Sequence, residues 1–263
     1  MLGIFFILLV TALAIFLALS RKKKQPVLLP SAGIIAQILQ NRVAYYQHLS
    51  TPEQQRFCKE ASDFMKQVKT TGIKTAVTDE DRVLIAASGI IPIFAFPGWR
   101  YPNLDEVLLY PDTFTRDYDY TDDSSERNIL GMVGSGPMNK IMILSQPALQ
   151  YSYANPHSNR NTAIHEFTHL IDKTDGEIDG FPGLLMDKEH AGEWRLLIHQ
   201  NIEAIRHGHS DIDPYAATSE AEFFAVIAEY FFERPRLFEQ IYPELFQMME
   251  SIFRQRPMTD IGV

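Results

Sequence analysis

The stretch Asn161-Thr-Ala-Ile-His-Glu-Phe-Thr-His-Leu-Ile-Asp172 decides the reading of this chain, because it holds His165, Glu166 and His169 in an HExxH pattern. Two histidines four residues apart stand one above the other on a helix face, so both imidazoles reach one zinc ion at about 2.0 to 2.1 Å. Glu166, one residue on, falls beside the open metal position, where a carboxylate takes a proton from zinc-bound water as that water attacks a carbonyl. The motif requires a helix, and its flanks supply one. Ile164, Phe167 and Ile171 form an apolar stripe at helical spacing, and Asn161 is a suitable N-cap. An exposed helix carrying two unconnected histidines is the competing reading, and the apolar stripe speaks against it.

A catalytic zinc site usually has three protein ligands and a water, so a third ligand must come from elsewhere. The downstream run Thr218 to Phe232 offers Glu220, Glu222 and Glu229 in strongly apolar company. Glu222 and Glu229 are seven apart and share a helix face, whereas Glu220, just after Thr218 and Ser219, suits a capping role.

These residues carry a resemblance. AIHEFTHLID at 163–172 followed by DPYAATSEAEFFAVIAEYFF at 213–232 resembles the MtfA family, zinc aminopeptidase-like proteins named for titrating the glucose repressor Mlc. The fold of that family is similar to the catalytic domain of anthrax lethal factor. The likeness covers about residues 50–255, including TDEDRVLIAA at 78–87 and VLLYPDTF at 107–114. It implies His165, His169 and Glu222 as zinc ligands, Glu166 as the base and Tyr215 as the group that stabilises the oxyanion. It also implies a transcription-regulator partner. The chain departs from the family in its N-terminal apolar stretch and in the loop YANPHSNRN before the motif. Within the downstream helix, Glu222 is then the expected ligand. Glu229, two turns on, is about 10 Å away in helical rise, too far for the same ion and placed to orient a ligand instead.

Composition agrees with an enzyme of this kind and excludes others. The chain has 263 residues and a formal net charge of -9, which argues against a general affinity for nucleic-acid phosphates. Its one cysteine, Cys58, rules out an internal disulfide or a cysteine-rich metal site, so a metal must rest on His, Asp and Glu. Cys58 lies in QQRFCKEASDF, at helical spacing with Phe57, Ala61 and Phe64, and reads as a small hydrophobe. His199, His207 and His209 read as solvated and Trp194 as core.

Residues 2–20 carry no charge and are long enough to span a bilayer, which needs about 20 helical residues. Four cations, Arg21 to Lys24, follow directly and none precedes, so the positive-inside rule expects a single-pass anchor with the rest of the chain in the cytoplasm. Cleavage as a signal peptide is the alternative. The expected organisation is a transmembrane anchor at 1–20, a basic linker at 21–30 and a metallopeptidase domain at 31–263.

Within that domain two helices are expected between Ser31 and Lys69, broken at Leu49-Ser-Thr-Pro, and a third from Thr78. EVLLYPDTF and NKIMILSQ read as strands of a small sheet, with 140–145 as an edge along which an extended peptide pairs. Helices are expected from Asn161, Lys188 and Ser219, with an amphipathic tail from Pro235 to Phe253. The fold class is α+β, a mostly helical, zincin-like domain with a small sheet beside the motif helix. The expected function is zinc-dependent hydrolysis of peptides or exposed protein ends, with a partner-binding regulator holding a chiefly structural zinc as the alternative.

Overall fold

The computed structural model describes residues 28–113, 130–134, 136–155, 158–186 and 188–258. The expected anchor at 1–20 and nearly all of its linker lie outside these residues. Among the described residues no helix is long and apolar enough to cross a membrane.

The described chain opens with helix α1 (Ala32–Arg42), capped by the Ser31 side chain, which accepts from the Ile34 amide. A short helix α2 (Ala44–Gln47) follows, and then α3 (Thr51–Gln67). The break at Leu49-Ser-Thr-Pro is where the sequence puts it, with Ser50 and Glu53 closing a capping box and Pro52 in the first turn. A second break comes at Val43, where the backbone turns extended while Val43, Tyr45 and Tyr46 stay buried. Strand β1 (Lys69–Gly72) precedes helix α4 (Asp79–Ile90), whose start is a capping box between Thr78 and Asp81. Next come β2 (Glu106–Tyr110), β3 (Gly131–Val133) and β4 (Ile141–Ser145).

These four strands form one sheet in the order β1-β2-β4-β3, with β1, β2 and β4 parallel and β3 antiparallel to β4. The expectation that 140–145 is an edge is therefore corrected. Strand β4 pairs on both sides, with β2 through Glu106↔Ile141 and with β3 through Val133↔Met142, so the edge beside it is β3. The burial of Met142, Ile143 and Leu144 fits an inner strand.

Helix α5 (Gln146–Ala154) leads to the motif helix α6 (Thr162–Asp172). Helix α7 (Ala191–Arg206) carries Trp194 and Leu197 inward, and α8 (Glu220–Glu233) runs through the centre of the molecule. Its Phe223, Phe224, Phe231 and Phe232 are all buried, and Phe231 and Phe232 meet Phe253 at ring centroid separations of 5.9 and 4.9 Å. The tail divides into α9 (Pro235–Ile241) and α10 (Pro243–Phe253). Pro243 has no amide to continue the first ladder and disfavours helical backbone before it, so the break falls at Tyr242.

The motif helix is the structural centre. The sequence suggests burial along one stripe, but all residues from Ala163 to Asp172 are buried. Helix α6 is covered by α8, by α4 and α5, and by β3 and β4.

Candidate metal centre

Asn161 sets the entrance to α6. Its side-chain oxygen accepts from the Ile164 amide at 3.1 Å. The same residue reaches α8 twice, its backbone amide donating to Glu229 Oε2 at 2.5 Å and its Nδ2 to Glu233 Oε1 at 2.7 Å. One residue thus caps the motif helix and fixes its register against the helix that carries Glu222.

With that register set, His165 Nε2 lies 3.1 Å from His169 Nε2 and 2.9 Å from Glu222 Oε2, and His169 Nε2 lies 3.3 Å from the same oxygen. The structure brings His165, His169 and Glu222 into one group whose ligand atoms all fall within 4.8 Å of one another, and among the described residues it is the one such group of His, Cys, Asp and Glu. Glu229 stands on the far side of His165, 2.7 Å from Nδ1. With Nδ1–H donated to Glu229, Nε2 would offer its lone pair to a metal once it gives up its own proton, the tautomer that a metal ligand needs. Two imidazole nitrogens and one carboxylate oxygen converging in this way fit zinc. Glu220 is elsewhere, 3.6 Å from His199 Nε2 near the surface.

The electrostatics follow from crowding carboxylates and imidazoles where little water reaches. Burial alone lowers the His165 pKa, but Glu229 and Glu222 outweigh it and hold the imidazolium well above its ordinary range. Burial alone raises Glu222, and the hydrogen bonds from His165 and His169 overturn this and keep its carboxylate ionised well below the usual range. Glu166 is raised, chiefly because it is buried, with the two imidazoles acting against the shift. A base with a raised pKa holds a proton more firmly once it has taken one.

Glu166 faces the edge strand. A Cβ placed on Gly131 would come within 2.6 Å of Glu166 Cγ and 2.7 Å of its Oε1, so the strand approaches this closely because that position is glycine. His165, Glu166, Tyr215 and Glu229 line one cleft of about 330 Å³ with Leu130, Arg160, Asp213 and Val226. Tyr215 is about half exposed, its ring centroid 6.1 Å from that of His165. It sits on a 3-10 turn that begins at Asp213, whose carboxylate accepts from the Tyr215 amide at 3.0 Å and pairs with Arg160.

Comparison with known proteins bears on this geometry. The family model of the glucose-regulated metallo-peptidase M90 matches residues 19–254. The chain belongs to that family. An uncharacterized protein of Synechocystis is 28% identical over 84% of this chain and 83% of its own length. Mlc titration factor A of Pectobacterium atrosepticum is 28% identical over 80% of this chain and 82% of its own, and that of an Enterobacter strain 31% over the same shares. The family match starts well before residue 50, so it takes in α1 and α2, which the sequence resemblance leaves out. As a member of a metallo-peptidase family the chain has a metal-binding site to account for, and the His165, His169 and Glu222 group is where the donors converge.

Four contributors were not evident in the sequence as parts of the site. Gly131 lies in a three-residue strand within a polar stretch. Asn161 is legible as a cap but not as a clamp on Glu229 and Glu233. Arg160 and Asp213 meet only in the fold. The other histidines behave as expected, since His199, His207 and His209 are exposed. Trp194 is fully buried and Cys58 is half-buried beside the Tyr46 hydroxyl.

Proposed function

We propose that this chain is a zinc-dependent peptidase with His165, His169 and Glu222 as the metal ligands, Glu166 as the general base and Tyr215 as the stabiliser of the oxyanion. The observation that supports it is the convergence of three ligand atoms from two helices beside a buried carboxylate. Zinc bound there supplies an acidified water and polarises a carbonyl. Glu166, buried against Gly131 at the cleft wall, would accept a proton at its carboxylate and return it to the departing amine. Tyr215, about half exposed with its ring centroid 6.1 Å from that of His165, is the group we assign to an oxygen that gains charge. Among the described residues β3 is the outer strand of the sheet, and Gly131 is where it approaches Glu166, so the edge offered to an extended peptide is assigned to 131–133 instead of 140–145.

Two variants test the assignment. Glu166→Gln retains zinc, measured by elemental analysis, and loses hydrolysis of a peptide library. Full activity in that variant removes Glu166 from the mechanism, and full zinc occupancy in His165→Ala sinks the ligand set.

The name of the relatives, Mlc titration factor A, favours a second activity alongside the first, capture of a transcription regulator. Binding that survives Glu166→Gln would separate the two. We also propose, on the charge asymmetry of 1–24 alone, a single-pass anchor with the domain in the cytoplasm. Recovery of a soluble chain beginning at Arg21 would overturn it.

A further inference from the structure

Two buried polar atoms of the motif helix have no partner, His169 Nδ1 and Asp172 Oδ1. Native structures rarely leave a buried donor or acceptor unmade, and two such atoms three positions apart on one helix call for a common explanation. His165 shows the contrast. Both of its ring nitrogens are engaged, Nε2 toward His169 and Glu222 and Nδ1 on Glu229. His169 has the same engagement at Nε2 and nothing at Nδ1.

Asp172 is placed to complete it. Helix side chains lean toward the N-terminus, so the carboxylate of residue 172 leans over the turn that carries His169. One of its oxygens is already committed, Oδ2 accepting from the Gly180 amide at 2.8 Å. Gly180 is itself fixed. Its φ of +81° suits glycine, its carbonyl accepts from Trp194 Nε1 at 2.7 Å, and a Cβ there would meet the Glu220 carbonyl oxygen at 2.4 Å. The Asp172 carboxylate is therefore held by one oxygen with the other spare.

We propose that Asp172 is the positioning residue for His169, its Oδ1 accepting the Nδ1–H of that ring when a metal is held at Nε2, as Glu229 does for His165. The inference rests on the zinc site proposed above. Without metal the ring can carry its proton at Nε2, where Glu222 Oε2 stands 3.3 Å away. With Nε2 given to a metal the remaining proton sits on Nδ1, a buried donor for which Asp172 is the acceptor at hand.

Asp172→Asn tests this, because its carbonyl oxygen still accepts from Gly180 while its amide offers His169 a donor in place of an acceptor. Chelator competition should show zinc bound about 10 to 100-fold more weakly, with the thermal midpoint of the metal-free protein unchanged. Zinc-loaded protein labelled with 15N-histidine should show two slowly exchanging Nδ1–H signals, one lost in Asp172→Asn and the other in Glu229→Gln. Unchanged affinity, or a lowered metal-free midpoint with unchanged affinity, would reduce Asp172 to a prop for Gly180 and overturn the proposal. Should the variant not fold, a rapidly exchanging His169 Nδ1–H in zinc-loaded wild type overturns it equally. A wild-type chain that binds no zinc defeats the metal reading and this one with it, whereas zinc binding without hydrolysis defeats only the peptidase reading.

Discussion

Single residues divide the work at this site by which atom they present. Glu222 and Glu229 share a helix face, yet Glu222 meets both Nε2 atoms while Glu229 meets Nδ1 of His165 and the Asn161 amide. Zinc affinity should therefore fall most in Glu222→Gln, less in Glu229→Gln, and hardly at all in Glu220→Gln, whose side chain faces His199. Chelator competition on the three variants checks the order, and a largest loss at Glu229 would mean that the ligand has been placed on the wrong turn. Gly131 makes a different demand. Gly131→Ala forces either β3 or Glu166 to give way, so zinc occupancy should stay near wild type while turnover drops by about 10-fold or more, as expected when a base is displaced by about 1 Å. An alanine variant at full rate would show that the strand has room to move. The histidines and Glu166 are legible in sequence because helical spacing alone relates them, whereas Glu222 is expected only through the family resemblance. Gly131 is not, because its role arises only when a strand lies across the helix.

At the scale of elements, the join between α6 and α8 is what turns a motif into a site. Asn161 makes that join through three hydrogen bonds, one within its own helix and two across to Glu229 and Glu233. Asn161→Ala keeps the backbone bond to Glu229 but loses the cap and the Glu233 contact, so it should cost about 1 to 3 kcal/mol in denaturant unfolding and weaken zinc binding as the helices slip. Glu233 adds a pH dependence. Burial raises its pKa to about 8, aided by Glu229 and opposed by the Asn161 hydrogen bond. The folded chain thus keeps a proton that the unfolded chain releases near the ordinary glutamate value of about 4.3, and its stability is full below that pH and declines as pH rises toward 8. Glu233→Gln should flatten that decline; an unchanged slope in urea unfolding between pH 5 and about 8 would show that the proton sits elsewhere.

The elements also show what sequence reading misses. The helix starts at Ser31, Thr78, Asn161 and Ser219 announce themselves because capping is a local matter. Strands β1 and β3 do not, since four residues reading Lys-Thr-Thr-Gly and three reading Gly-Met-Val have no apolar alternation and exist through their partners' backbones. The mistaken edge at 140–145 has the same source. Which strand ends a sheet depends on neighbours that periodicity cannot reveal.

Across the whole molecule, a buried metal would link two helices distant in sequence, because the histidines belong to α6 and the proposed carboxylate to α8, about fifty residues further on. Zinc at a hundred times its dissociation constant should add about 2.7 kcal/mol to stability, and stripping it with a chelator should lower the thermal midpoint by several degrees. A midpoint indifferent to zinc would show that the aromatic core around Phe224, Phe231 and Phe253 fixes the helices without help.

The separation of the ligands has one more consequence. The connecting stretch displays exposed Asp175, Gly176, Glu177, Ile178 and Asp179 to solvent, an accessible target for a protease. A cut there would leave two polypeptides sharing one coordination sphere. On the proposed ligand set, such a nicked chain would carry His165 and His169 on one fragment and Glu222 on the other, and its two pieces would rejoin or part according to the zinc around them.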